Sequence, residues 1–326
     1  MYVQSNRDIT IGMVSELKKR DFAQEKLKIG TRGSPLALAQ AYEVKRKIIL
    51  CSDLWDDCIE IVTIDTKGDK IQDRPLTEIG GKGLFTEEIE SKLLDGEIDL
   101  AVHSMKDVPM TLPEGLSLEV ICRREDPSDA FVSNNYGDLD QLPINSIIGT
   151  SSLRRQCQLR SIYPNLQVTD LRGNVNTRLS KLDDEKYDAI ILASAGLIRL
   201  GMASRIKQKL QLDVCLPAAG QGAVGIECRA NDENTIKLLS PLNDIQSSLC
   251  VRAERATNRH LQGGCQVPIA CFAKLVDEEK YIEMIGLVGS IDGNTIIRAR
   301  SSGPASKPED VGIRLAEDLL AQGAAE

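Results

Sequence analysis

Short apolar runs alternate with helical repeats through the first two thirds of the chain. Residues 98–102 form a short run, rich in apolar residues, that is typical of a strand buried on both faces of a sheet. Similar runs at 27–30 and 59–64 predict two further strands. Between these two runs, apolar residues recur at helical spacing and predict a helix, with Ser34 as its N-cap and Pro35 as its first residue. Strands that alternate with helices in this way predict a right-handed parallel α/β layer.

The same pattern begins again near residue 146 and changes after residue 244. Further strands are predicted at 146–150, 167–171, 187–193 and 224–228. The last part instead has three strands in succession, near 267–275, 281–288 and 295–300, and then a helix at 311–320. This order predicts an α+β unit, in which an antiparallel sheet carries helices on one face.

Two irregular stretches divide the chain. Residues 123–127 are charged and end in proline, and residues 216–223 are small and rich in glycine. We expect them to be two crossings that form a hinge over a cleft. The expected division is an extension at 1–26, an α/β domain at 27–123 and 223–242, a second α/β domain at 127–217, and an α+β domain at 245–326.

Composition narrows the class of protein. Of 326 residues, 42% are hydrophobic and 27% charged, and no apolar run approaches the length that spans a bilayer. The nine cysteines are scattered without a CxxC pair, and His103 and His260 are the two histidines, so we expect neither a metal site nor a disulfide framework. The first residues show no secretory signal, and a reducing cytoplasm is expected.

Charge indicates the kind of ligand. The formal net charge of -8 disfavours nucleic acid as the main partner, and no membrane association is expected. Between residues 149 and 205, however, nine basic residues stand against five acidic ones. A basic patch within an acidic protein favours a small polyanionic ligand.

The clearest candidate chemistry follows the strand at 98–102. Ser104, Lys106 and Asp107 come directly after it, and Pro109 ends the element. Ligands bind at the carboxyl ends of strands in open α/β sheets. Lys106 would attract an anion, and Asp107 would supply a carboxylate to a reacting centre. The alternative is an ion pair that closes the strand at the surface.

Arginines recur at other strand ends. Arg32 lies beside a helix start, and a second helix, which we expect Ser151 to cap, carries Arg154 and Arg155 in its first turn. Basic residues there oppose the helix dipole unless an anion is bound. Two further strand ends lead to Arg172 and Arg178 and to Arg199, so several arginines converge on one edge, although any single one could be a solvated surface charge.

From Leu27 onward the sequence resembles the porphobilinogen deaminase (hydroxymethylbilane synthase) family. The resemblance rests on long stretches in order, among them KIGTRGSPLALAQ, DLAVHSMKDVP, GTSSLRRQCQL, LRGNVNTRLSKL and ERATNRHLQGGCQVPIA. It leaves out residues 1–26 and the stretch 50–58. It implies three domains, of which the first two are like a periplasmic binding protein, and a cytoplasmic monomer.

The resemblance also implies the chemistry. A dipyrromethane cofactor would be joined through a thioether to Cys265, and four porphobilinogen units would be added to it with loss of ammonia. Hydrolysis would then release hydroxymethylbilane for haem biosynthesis. Asp107 matches the family's catalytic carboxylate. The positions that match its carboxylate binders are Arg32, Lys106, Arg154, Arg155, Arg172, Arg178 and Arg199. Those that match its hydrogen-bonding residues are Ser34, Ser104, Thr150 and Ser152.

The residue chemistry agrees with this implication. Porphobilinogen carries acetate and propionate groups, so the growing chain is a polyanion, and the planar guanidinium suits bidentate carboxylate contacts. Loss of ammonia leaves a cation, which a fixed carboxylate stabilises. Two alternatives remain open: a non-catalytic carboxylate-binding module of the periplasmic-binding-protein type, and an enzyme of another kind that uses Cys265 as a redox or acyl-transfer nucleophile.

Overall fold

Three β-sheets organise residues 25–70, 83–262 and 267–324, which are the residues that this computed structural model describes. The strands of the first sheet are β1 (Leu27–Arg32), β2 (Ile59–Ile64), β3 (Leu100–Ser104), β4 (Leu116–Ile121) and β10 (Val224–Arg229). Those of the second are β5 (Asp129–Val132), β6 (Ile147–Gly149), β7 (Gln167–Thr169), β8 (Ala189–Ala193) and β9 (Gln208–Lys209). The third contains β11 (Ile269–Val276), β12 (Tyr281–Gly289) and β13 (Ile296–Pro304).

Nine α-helices occur in the described residues. They are α1 (Pro35–Cys51), α2 (Lys67–Lys70), α3 (Glu87–Leu94), α4 (Leu153–Ile162), α5 (Val175–Asp183), α6 (Ser194–Arg199), α7 (Glu233–Leu239), α8 (Ile245–His260) and α9 (Pro308–Ala321). The expected combination of two α/β units with an α+β unit is confirmed.

Both larger sheets are mixed rather than parallel throughout. In the first, with order β2-β1-β3-β10-β4, β1 is parallel to β2 and β3, but β10 is antiparallel to β3 and β4. In the second, with order β7-β6-β8-β5-β9, β6 is parallel to β7 and β8, and β5 is antiparallel to β8 and β9. The strands that run against their neighbours, β5 and β10, each follow a crossing. At these two points the chain passes from one sheet into the other.

Each sheet buries apolar residues against its helices. In the first sheet, Ile29 of β1 and Val102 of β3 pack with Val44 of α1. In the third, Met284 of β12 packs with Leu315 of α9. Hydrophobic burial of this kind is the main favourable term in folding.

The predicted start of α1 is confirmed, whereas that of α4 is wrong in detail. Ser34 Oγ accepts a hydrogen bond from Ala37 N at 3.3 Å, and Pro35 is the first helical residue. Ser152, not Ser151, is the N-cap residue of α4, and its side chain makes no capping bond. Ser151 Oγ instead donates to the carbonyl of Leu171 at 2.9 Å, so it joins two strand ends.

The two crossings lie side by side and bond to each other. The amide of Glu125 donates to the carbonyl of Gly222 at 3.1 Å, and Gln221 Nε2 donates to the carbonyl of Pro127 at 2.8 Å. Gly222 has φ +91°, and a Cβ placed there would lie 2.4 Å from the Glu125 carbonyl oxygen. Only glycine fits both this backbone conformation and this close approach.

A buried ion pair joins the third sheet and α8 to these crossings. Arg124 Nη1 donates to Glu254 Oε1 at 2.6 Å, and Glu254 Oε2 accepts from the amide of Gly220 at 2.7 Å. Glu254 Oε1 also accepts from the amide of Ala273 on β11 at 2.8 Å. The three sheets therefore meet at one hydrogen-bonded junction.

No helix in the described part of the chain combines the length and the apolar character needed to cross a membrane.

We expect Gly222→Ala to destabilise the protein more than Gly201→Ala does. Gly201 also has positive φ, +69°, but a Cβ there meets nothing within 4 Å, so that variant should lose only about 1–2 kcal/mol for the left-handed backbone. Gly222→Ala must in addition separate the two crossings. Thermal midpoints of both variants measure the difference, and equal losses would contradict a tight contact between the crossings.

Candidate functional site

The turn after β3 places Lys106 and Asp107 at the carboxyl end of the first sheet. Met105 and Val108, on either side of this pair, are buried in one apolar cluster. Anchoring both flanking residues leaves the side chains of Lys106 and Asp107 half-buried above the sheet edge. Just before the turn, Gln40 Nε2 of α1 donates to Ser104 Oγ at 2.9 Å.

On the second sheet, two arginines of α4 share one buried carboxylate. Arg154 Nη1 donates to Asp129 Oδ2 at 2.7 Å, and Arg155 donates to Asp129 Oδ1 from Nη2 at 2.7 Å and from Nε at 3.0 Å. The relative exposure is 6% for Arg154, 4% for Arg155 and 0% for Asp129. Burial favours the neutral acid, but the charges and hydrogen bonds of the two arginines hold the pKa of Asp129 far below its ordinary value.

Lys106 is crowded by this arginine pair. Burial, with the charges of Arg155 and Arg154, lowers the pKa of Lys106 to about 8, although Asp107 and Asp129 oppose the shift. Lys106 follows β3 of the first sheet and the arginines belong to α4, so the electrostatic interaction joins the two units. Among the described residues, no carboxylate lies within ion-pair distance of the Lys106 ammonium.

Arg178 of α5 lies in the same positive field. Burial and the charges of Arg155 and Arg172 lower the pKa of Arg178 to about 10, and Asp107 opposes them. Its Nε donates to the carbonyl of Gly173 at 2.8 Å. The pKa of Arg172 is lowered by burial, against the charge of Asp170. Depressed pKa values on several neighbouring cations mean that a bound anion would be stabilised here.

The structure thus brings together six of the residues predicted from the sequence. They are Lys106, Asp107, Arg154, Arg155, Arg172 and Arg178.

Two of the predicted arginines are held by other acids. Arg32 Nε donates to Asp69 Oδ2 at 3.0 Å, and its guanidinium lies 4.1 Å from the centre of the Phe85 ring. Arg199 Nε donates to Glu43 Oε2 at 3.3 Å, and its Nη2 donates to the carbonyl of Gly222 at 2.9 Å. Arg199 therefore links α6, α1 and the second crossing.

The remaining predicted residues have local roles in the described structure. Ser34 caps α1, as described above. Thr150 is buried, and its Oγ1 accepts from the amide of Ser152 at 3.3 Å. Cys265 lies outside the described residues.

Sequence reasoning missed Asp129, the residue on which the arginine pair depends. The available signal was an acid directly before the apolar run Ala130, Phe131 and Val132, which forms the unpredicted strand β5. An acid that leads into a fully buried strand needs a cationic or hydrogen-bonding partner. Gln221 was also missed, although its Nε2 donates to Asp129 Oδ1 at 2.9 Å.

Two family models match the chain and together cover most of it. Residues 27–237 match the model described as porphobilinogen deaminase, dipyromethane cofactor binding domain. Residues 248–321 match the model described as porphobilinogen deaminase, C-terminal domain.

Solved structures of binding proteins are also similar to the chain. A periplasmic substrate-binding protein of an ABC transporter from Coxiella burnetii is 16% identical with a TM-score of 0.43, over 66% of this chain and 91% of that one. A putative methionine-binding lipoprotein from Bacillus subtilis is 11% identical with a TM-score of 0.42, over 68% of this chain and 90% of that one.

We expect Asp129→Asn to lower the free energy of unfolding by about 3–5 kcal/mol at pH 7, because it leaves two buried guanidinium groups without their carboxylate. Since folding lowers the pKa of Asp129, the carboxylate stabilises the fold above the unfolded-state pKa of about 3.9, and this stabilisation declines as the pH falls below it. The difference between wild type and variant in urea unfolding should therefore shrink below about pH 4.

Asp183→Asn is the matched control. Its carboxylate pairs with Arg205 at the surface, where the two side chains are 48% and 31% exposed, so the loss should stay below about 1 kcal/mol. Equal losses in the two variants, or a difference that does not change with pH, would contradict the central role of Asp129.

Proposed function

The chain belongs to the porphobilinogen deaminase family, and from that premise we propose the roles of its site residues. It is a transferase of tetrapyrrole biosynthesis with a dipyrromethane cofactor. Four porphobilinogen units are joined to this cofactor with loss of ammonia, and hydrolysis releases the linear tetrapyrrole hydroxymethylbilane. Both matching models describe the deaminase, so we set aside the non-catalytic binding module and the other thiol enzyme.

The observation that carries the proposal is the group of cations around Asp107. Lys106 and Arg178 have lowered pKa values, and no described carboxylate forms an ion pair with either. This arrangement fits a group that bears acetate and propionate side chains, because bound carboxylates would relieve the repulsion between the cations. When bound, the cofactor would supply the free pyrrole carbon to which the first porphobilinogen unit is joined, and each later unit would be joined to the unit before it.

We assign carboxylate binding first to Lys106, Arg172 and Arg178. Arg154 and Arg155 join them with the N–H groups that Asp129 leaves available. A guanidinium has five N–H donors, of which Arg155 uses two on Asp129 and one on the carbonyl of Ile191. In this assignment Asp129 fixes the orientation of the pair, and the unused donors meet the ligand.

Asp107 is the catalytic residue in this proposal. Departure of ammonia from porphobilinogen leaves positive charge on the substrate pyrrole, and a fixed carboxylate in a partly desolvated site stabilises that charge better than water does. Asp107 attracts both Lys106 and Arg178 electrostatically. In this proposal the substrate carboxylates occupy these basic groups, and Asp107 faces the developing positive charge.

The other assignments follow the family resemblance. We propose that Arg32 and Arg199 contribute to carboxylate binding, and that the hydrogen-bonding residues are Ser34, Ser104, Thr150 and Ser152. The family implies that the small molecule bound by the protein is its substrate, porphobilinogen. We further propose that the protein acts as a cytoplasmic monomer.

We propose that the N-terminal extension, residues 1–26, is followed by three domains. They are 27–123 with 223–242, then 127–217, and then 245–326. The position of β10 between β3 and β4 supports the split first domain, and the membership of β5 to β9 in one sheet supports the second.

Asp107→Asn preserves the shape of the side chain and removes its charge, so we expect kcat to fall by about 100-fold or more. Release of hydroxymethylbilane, followed under saturating porphobilinogen, measures the change. Asp95→Asn, an exposed acid at the end of α3, is the control and should retain wild-type turnover. Near-normal turnover of Asp107→Asn would refute the catalytic role.

Intact mass tests the attachment residue. Wild-type protein should carry an adduct the size of two pyrrole units, and Cys265→Ala should lack it, because the thioether needs that sulfur. Cys51→Ala removes an exposed free thiol and should retain the adduct. An adduct that survives in Cys265→Ala would place the cofactor on another residue.

A further inference from the structure

Helix α8 of the third unit contacts the turn that carries Asp107. Val251 of α8 is fully buried in the same apolar cluster as Met105 and Val108, which lie on either side of Lys106 and Asp107. The helix therefore packs directly against the residues that anchor the turn.

One helical turn further along the same face, Arg255 bonds to the backbone just after Asp107. Its Nη1 donates to the carbonyl of Val108 at 3.1 Å, and its Nη2 donates to the carbonyl of Pro109 at 2.6 Å. The residue is only 6% exposed. A planar guanidinium that holds two successive carbonyls restrains both the position and the orientation of that backbone.

Packing and charge indicate that this contact has a specific role. In the described part of the chain, Arg255 forms no ion pair with a carboxylate, although Glu227 of β10 exerts a longer-range attraction. Burial and the charge of Arg259 lower the pKa of Arg255 to about 10. Burying a cation costs free energy. For Arg255, two charge-assisted hydrogen bonds to the backbone after Asp107 offset part of this cost.

In the sequence, the helix is followed closely by the proposed attachment residue. α8 ends at His260, and Cys265 follows five residues later in the sequence. The helix that contacts the Asp107 turn therefore precedes, in the sequence, the cysteine that we assign to the cofactor.

We propose that Arg255 is a positioning residue, which holds the backbone after Asp107 so that the carboxylate stays aligned with the reacting pyrrole. The inference rests on the proposed catalytic role of Asp107. A displacement of about 1 Å in a catalytic group can lower a rate by about 100-fold, so loosening the turn should affect turnover without a change in ligand-binding side chains.

Arg255→Lys tests the proposal because it keeps the charge and removes the planar fork. We expect kcat to fall by about 10-fold or more, the KM for porphobilinogen to stay within about two-fold, and the Cys265 adduct to remain in the intact mass. Arg252→Lys, on the same helix but half exposed and paired with Glu309, is the matched control and should match wild type. Arg255→Gln, which buries no charge and still donates from one amide, is the second variant if Arg255→Lys does not accumulate.

A double-mutant comparison separates positioning from general damage. Asp107→Glu already displaces the carboxylate, so adding Arg255→Lys should lower its residual kcat by less than about two-fold. An equal loss in both backgrounds, or wild-type kcat in Arg255→Lys and Arg255→Gln, would overturn the positioning role. Failure of the proposed function is a distinct result, since Asp107→Asn would then turn over normally whatever Arg255 does.

Discussion

The ionised Asp129 is the interaction on which the arrangement of charge in the cleft depends. Two adjacent guanidinium groups repel each other, and burying both without a carboxylate would cost several kcal/mol. With Asp129 between them, Arg154 and Arg155 are held in fixed orientations and still leave a net positive charge. That residual charge acts on Lys106 and Arg178, which belong to other elements.

The site is assembled from three units, each of which is stabilised by its own hydrophobic core. Each sheet buries an apolar core against helices, and the ionic groups lie where the carboxyl ends of strands meet. The two crossings, the pair of Arg124 and Glu254, and the contact of α8 with the Asp107 turn then define how the units adjoin. A small displacement at the junction would change the site, because Lys106 and Asp107 follow β3 of the first sheet, whereas the arginines belong to helices of the second unit.

A product that gains acetate and propionate groups at each step makes particular demands on such a site. The protein needs more positive charge than its own carboxylates neutralise, yet like charges held close together favour unfolding. Partial neutralisation by Asp129 and Asp107 offers one physical solution, since it keeps the cations together while no ligand is bound. The same arrangement leaves a carboxylate beside the developing positive charge of the substrate.

The sequence by itself determined the elements and the chemical character of the site. Apolar runs located β1 to β3, the capping of α1 by Ser34 followed from its residue type, and the long motifs identified the family, because all of these depend on neighbours along the chain. Only the tertiary structure decided that Asp129 binds Arg154 and Arg155, that Arg199 contacts Glu43, and that Arg255 holds the turn after Asp107. These partners lie from 25 to 156 positions apart, and which charges meet depends on how strands are ordered in the sheets and how the units adjoin, which local patterns do not encode.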